Sequence, residues 1–370
     1  MAFDKLDALL ELPVYGLRRE EWLPYFLDAL REVATHHYSH CEPYRRLCEK
    51  RGFVPDTLRT VAEVPYLPTA VFKDALLLSI PPEAVYREIR SSATSSGQSS
   101  RVGIDKETSR RQTKCFNKVA VDRIGRERRR FVILDTPATI GRSAVASARS
   151  STIRSLLFCA SEAVPCMRED GDRLWLEKEL LDAELRGAEQ RREPIVIFGF
   201  TYVLYRHAIR FLLDEGRRYV LPGSKVLHIG GWKKLEAEKV SPEKLVEDCA
   251  QAFGVSPGDV VDFYGFTEQS GLIYPTCEQG VRHAPVWGEV IVRDPVSLAP
   301  VPSGTEGLLQ FVSPIQTAYP GHSVLTDDVG VILGVDDCPC GRMGTCFKVV
   351  GRAPRAEVRG CGDIMAEKIG

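Results

Sequence analysis

The chain has 370 residues, long enough to predict one large core with an appendage, or two domains. Its 49 basic and 50 acidic residues leave a formal charge of -1, which provides no electrostatic footprint for nucleic acid or an anionic membrane surface. Eleven cysteines, several of them (Cys115, Cys159, Cys249) single in apolar or helical surroundings, suit a reducing cytosol better than a disulfide framework, so a small-molecule substrate in the cytoplasm is expected.

The first residues, MAFDKLDALLELP, lack the basic start and unbroken apolar stretch of a signal peptide. No later segment offers the roughly 20 apolar residues of a membrane-spanning helix. Residues 1–90 read as a helical part of the core, with Trp22, Leu23, Tyr25, Phe26, Leu27, Leu30 and Val33 forming an amphipathic stripe. The run breaks at VPYLPTAVFK, where two prolines stop a helix. Residues 91–285 alternate short β-branched runs (FVILD, PIVIFGF, KVLHIGG, DVVDFYGF) with helical patterns such as FTYVLYRHAIRFLLDEG. Such alternation predicts an α/β fold with largely parallel sheets flanked by helices. From 286 to 350 strand and turn signals dominate (VWGEVIVRD, EGLLQFVS, HSVLTDDVGVI, FKVVGR), predicting a β-rich subdomain, and 351–370 remain as a short mobile C-terminal segment.

Four segments offer chemistry, each with a plainer reading beside it. Ser91 to Ser100 pack hydroxyls around Gly97 just before a helical pattern starting near Lys106; amides and hydroxyls there can hold phosphate oxygens, although a surface loop has the same composition. His228-Ile229-Gly230-Gly231 ends a strand in paired glycines that let a flat ring approach the backbone, as would any tight turn. Asp262 to Gly271 place Tyr264, Gly265, Thr267 and Glu268 after an apolar strand, where ligands of open α/β sheets bind. Glu268 can ligate Mg2+ and Thr267 can meet a phosphate, whereas an ordinary strand-to-helix turn also carries a capping Thr. Thr326-Asp327-Asp328-Val329-Gly330 is an acidic turn able to accept ribose hydroxyls or simply to face water.

In this order and spacing the four segments resemble the adenylate-forming superfamily. With VPYLPTAVFK, SSGQSSRVGIDKETSRRQ and a chain end soon after Gly351-Arg352, the chain resembles most the acyl-protein synthetases of the bacterial bioluminescence fatty acid reductase complex, with phenylacetate-CoA ligases next. The resemblance covers nearly the full length. It implies ATP-dependent activation of a carboxylic acid, most in keeping with a fatty acid, to an acyl-adenylate, then transfer to a thiol. By position, Thr94, Ser95, Ser96 and Gly97 form the phosphate loop, Gly230 and Gly231 the adenine wall, and Tyr264, Gly265, Thr267 and Glu268 hold adenine, phosphate and Mg2+. Asp328 falls at the ribose carboxylate and Arg352 at the hinge arginine. Ala93 and Thr94 depart from the usual Ser and Gly of the loop. Only 18 residues follow Arg352, where most adenylating enzymes carry a further domain of about a hundred residues with a lysine for the first step; Lys368 is not equated with it.

Cys277-x5-His283 and Cys338-Pro339-Cys340-Gly341 supply four ligands of a structural zinc set, against the alternative of free cysteines in a β subdomain. Phenylacetate-CoA ligase-like proteins have a similar arrangement, which implies structural zinc. Cys361, flanked by Gly360 and Gly362 and two residues after Arg359, matches the cysteine that the resembled synthetases acylate before delivery to a reductase; Cys346 reads as a strand residue. Alternative outcomes are an acyl- or aryl-CoA ligase with coenzyme A or a carrier protein as acceptor, and an inactive homologue that binds an acyl ligand or a reductase partner.

Overall fold

The computed structural model describes residues 3–91, 99–141, 148–171, 173–232 and 238–353. Helices α1 (Asp4–Leu9), α2 (Arg19–His40) and α3 (Glu42–Arg51) open the chain. α2 buries Trp22, Phe26, Leu30 and Val33 of the expected stripe, together with Ala29. Tyr25 lies on its flank and is 52% exposed. After Pro65 comes β1 (Leu67–Pro68), then the four-residue helix α4 (Val71–Asp74).

Strands β2 (Arg87–Arg90) and β3 (Arg101–Ile104) form an antiparallel hairpin whose connection is the serine-rich segment. The Ser91 amide donates to the Ser100 carbonyl (3.0 Å), and the Ser100 amide to Ser91 Oγ (2.8 Å), closing the base of that connection. The helical pattern expected near Lys106 is α5 (Lys106–Ile124); β3 stands before it, four residues with an internal glycine that carry too little periodicity to announce a strand. Thr94, Ser95, Ser96 and Gly97 lie outside the described residues, as does Cys361.

Then follow β4 (Arg129–Leu134), β5 (Ala160–Pro165), β6 (Met167–Asp170), β7 (Arg173–Leu176), β8 (Val196–Phe200), β9 (Lys225–Ile229), β10 (Val260–Tyr264) and β11 (Tyr274–Pro275). The last strands are β12 (Arg282–His283), β13 (Glu289–Arg293), β14 (Gly307–Val312), β15 (Ser323–Val335) and β16 (Thr345–Arg352).

The fold is mixed α/β, in two compact units: Met1–Phe116 with Gly265–Leu272 and Val281–Gly370, and Asn117–Tyr264 with Ile273–Gly280. This division follows proximity in space, whereas the divisions at 90, 285 and 350 follow texture along the chain. In the first unit the sheet runs β12-β16-β15-β14-β13, antiparallel throughout, with β1 added parallel to β15. Tyr44, Leu47, Phe72, Ile104, Tyr319 and Val324 share one of its buried clusters.

In the second unit the order is β11-β10-β9-β8-β4-β5; all neighbours are parallel except the β10–β11 pair. Helices 178–191, 201–214 and 242–253 press Leu181, Leu185, Leu204, Leu212, Cys249 and Phe253 against Val132, Ile197, Val226 and Val260, the buried β-branched rows that a covered parallel sheet requires. The helical pattern after β8 contains one π-helical turn, Leu204–Ile209, wider than its 3.6-residue period announced. Its buried side chains pack in that core.

Candidate active site

In the second unit, parallel strands bring their C-terminal ends to one edge, so register alone gathers residues far apart in sequence. Phe200 pairs with Ile229, and Ile229 with Phe263, placing Thr201, Gly230 and Tyr264 at adjoining strand ends. Gly230 has φ +84, a conformation that L side chains resist, and Gly231 has no heavy atom within 4 Å of where a Cβ would stand. Thr201 Oγ1 lies 2.5 Å from the Gly230 carbonyl and 3.0 Å from His228 Nδ1. A carbonyl only accepts, so the threonine proton goes to Gly230 and His228 Nδ1–H donates to Thr201. The Gly-Gly turn is thereby tied to the next strand. Tyr264 is half-buried, tilted against Tyr274 at 6.4 Å.

Between Tyr264 and Gly265 the chain passes into the first unit. Thr267, Glu268 and Gln269 form a single 3-10 turn, with Glu268 and Gln269 buried and Thr267 half-buried. Burial raises the Glu268 carboxyl above the ordinary glutamate range; a hydrogen bond from Ser100 and the charge of Lys73 pull it the other way, and Asp327 raises it further. A carboxylate so placed suits a bound cation, whose charge offsets desolvation. Ser100, at the foot of the serine-rich connection, thus meets Glu268 although 168 positions separate the two residues.

On β15, Thr326 Oγ1 donates to the Leu309 carbonyl (2.9 Å) and accepts from the Asp328 amide (3.2 Å). Asp328 faces Arg352 across the β15–β16 ladder, with Arg352 Nε 3.4 Å from Asp328 Oδ1. The ribose and hinge candidates therefore meet as an ion pair. Arg352 is largely exposed, so the pair contributes about 0–1 kcal/mol to stability.

In the first unit the ligand atoms of His283, Cys338 and Cys340 lie within 4.8 Å of one another, Cys340 Sγ being 3.4 Å from His283 Nε2. Cys277, the fourth of the expected candidate ligands, belongs to the second unit. The two cysteine loops share a construction. Gly280 and Gly341, both at positive φ, close turns onto the carbonyls of Cys277 and Cys338. Amides of Gln279 and Arg342 donate to the sulfurs of Cys277 and Cys340 at 3.4 Å. Such N–H···S bonds orient the sulfurs, as outer partners of metal ligands do. Cys346 is a buried residue of β16, as its pattern suggested.

Sequence reasoning singled out Glu268 but missed what holds it: Ser100, Lys73 and the β14–β15 connection. Ser100 lay inside the serine-rich segment without a distinguishing signal. Tyr319-Pro320-Gly321 carried a turn signature that pointed to no ligand.

A family model described as acyl-protein synthetase, LuxE, matches residues 7–370. The chain belongs to the LuxE acyl-protein synthetase family. Among relatives, the long-chain-fatty-acid–luciferin-component ligase of Vibrio harveyi is 24% identical over 338 residues, 90% of this chain and 85% of the relative. The enzyme of the same description from Aliivibrio fischeri is 26% identical over 351 residues, 92% of this chain and 87% of the relative. A crystal structure of 2-hydroxyisobutyryl-CoA ligase with 2-HIB-AMP and CoA superposes at a TM-score of 0.69 with 16% identity, covering 91% of this chain and 69% of that one. That likeness establishes the adenylate-forming fold. This LuxE family member is thus an adenylate-forming ligase, which implies ATP as a substrate. No helix among the described residues is long and apolar enough to cross a membrane.

Proposed function

We propose that this protein activates a fatty acid with ATP and passes the acyl group to its own Cys361, for delivery to a partner such as an acyl reductase. The observation that carries the activating half is the convergence of Ser100, at the foot of the serine-rich connection, on the buried Glu268. Family membership supports the acceptor half.

A carboxylate resists thiolate attack because both are anionic and oxide is a poor leaving group. In the first step a carboxylate oxygen attacks the α-phosphorus of ATP, the bond to the bridging oxygen breaks and pyrophosphate leaves. In the second step the Cys361 thiolate attacks the acyl carbon of the mixed anhydride; the acyl C–O bond breaks and AMP leaves. Glu268 would hold Mg2+, which neutralises phosphate charge; Thr267 and the Thr94–Gly97 segment would donate to phosphate oxygens. Gly230, Gly231, Tyr264 and Gly265 would receive the adenine, and Asp328 the ribose. Arg352, in this reading, releases Asp328 when the ribose arrives. Cys277, His283, Cys338 and Cys340 would bind a structural zinc that fastens β12 and the β15–β16 turn.

The test is paired. In Cys361→Ser, label from a radiolabelled fatty acid should no longer remain on the protein while ATP–pyrophosphate exchange persists; unchanged labelling sinks self-acylation. In Glu268→Gln, exchange should drop at least about 100-fold without loss of folding, and retained exchange removes the glutamate from the mechanism. Labelling of coenzyme A by the Cys361→Ser protein would instead indicate an external acceptor.

A further inference from the structure

The connection between β14 and β15, residues 313–322, is buried throughout. Strand connections ordinarily run over the surface, since buried backbone must find internal partners. Here those partners include the turn that carries Glu268. The Tyr319 hydroxyl lies 3.1 Å from the Glu268 carbonyl. Gln269 Nε2 donates to the carbonyls of Gly321 and Phe311, each at 3.0 Å. Gln316 Nε2 donates to the Ser270 carbonyl at 2.9 Å. Three successive residues are thus gripped from one connection.

The direction of each bond follows from what its partners can do. Gln112 Nε2 already donates to Gln316 Oε1 at 2.7 Å. The Tyr319 hydroxyl is also 3.1 Å from that oxygen, but has one proton, and the Glu268 carbonyl is the acceptor that Gln112 leaves unserved. Burial holds the Tyr319 phenol well above its ordinary pKa, so the donor persists at working pH. Gln316 is anchored from behind: its carbonyl meets His37 Nε2 at 2.8 Å, and His37 Nδ1 meets Ser79 Oγ at 2.7 Å. A Cβ on Gly321 would stand 2.6 Å from the Glu268 carbonyl and collide with the Tyr319 ring, so only glycine permits this approach.

We infer that Tyr319 and Gln316 are positioning residues, fixing Glu268 through the backbone of residues 268–270 so that its carboxylate is preorganised for the cation that activation requires. The inference rests on the proposed role of Glu268. Preorganisation is where such a site gains rate, because a carboxylate that must first be ordered costs free energy at each turnover.

The experiment compares Tyr319→Phe, which removes one hydroxyl and keeps the ring, with Thr108→Val. Thr108 Oγ1 is 2.8 Å from Thr317 Oγ1, a buried bond of the same connection that does not reach residues 268–270. Mg2+-dependent ATP–pyrophosphate exchange is measured with fatty acids and phenylacetate, together with amide hydrogen exchange of the peptide spanning 265–272. Tyr319→Phe should lower kcat about tenfold, equivalent to about 1.4 kcal/mol, raise the Mg2+ concentration for half-maximal rate, leave the KM for the acid unchanged, and speed amide exchange in that peptide. Thr108→Val should lose similar thermal stability with none of these changes. Identical kinetics and amide exchange in the two variants overturn the inference. If the wild-type chain shows no pyrophosphate exchange, the proposed function fails, and amide exchange decides the positioning alone: faster in Tyr319→Phe supports it, equal to Thr108→Val overturns it.

Discussion

Gly271 closes the segment that holds Glu268, and replacing it by alanine separates two penalties that are usually confounded. Its φ is +87, which costs an L residue about 1–2 kcal/mol. A Cβ there would also stand 2.7 Å from Gln112 Cα and closer still to Gln112 Cβ, against the body of α5, and overpacking of that kind costs about 1–3 kcal/mol. Gly52 supplies the reference: φ +60 at the end of α3, with no heavy atom within 4 Å. Gly52→Ala should therefore carry the backbone penalty alone, and Gly271→Ala about 1–3 kcal/mol more. At roughly 2–4 °C per kcal/mol, the difference in melting temperature is about 2–12 °C. Both glycines lie in the first unit, so one transition followed by near-UV circular dichroism reports both. Equal losses in the two variants would refute the close approach of Gly271 to α5.

Two further expectations concern stability. Elemental analysis of purified protein should find about one zinc per chain, and Cys340→Ser should lose the metal together with thermal stability; metal-free wild-type protein ends the zinc proposal. The second follows from buried histidines. Burial lowers His322 to about 3, and burial with the neighbouring His322 and His36 holds His37 well below its usual range. Depressed folded values mean that the unfolded chain binds protons first as pH falls, so their contribution is complete above about 6.5 and lost below it. Each then costs about 1.4 kcal/mol by about pH 5.5. Urea midpoints that stay flat between about pH 7.5 and 5.5 would contradict this.

The candidate site was legible where chemistry is carried by contiguous residues. Tyr264 to Glu268 follow a β-branched strand, and the strand's end fixes where they emerge. His228 to Gly231 obey the same rule, since parallel strands must align their C-terminal ends. Asp328 and Arg352 were found from motif order, but that they face one another depends on the β15–β16 register. Neither residue's own neighbours specify a partner 24 positions away.

The amino-acid sequence by itself determined the alternation of strands and helices, because it is written in short-range periods of burial, while the class of chemistry came from the resemblance that the order of its motifs carries. Only the tertiary structure decided what supports Glu268. Gln316 and Tyr319 are ordinary polar residues in sequence, and they acquire a role because a buried strand connection must satisfy its hydrogen bonds internally. It does so on the backbone of the turn that carries the glutamate.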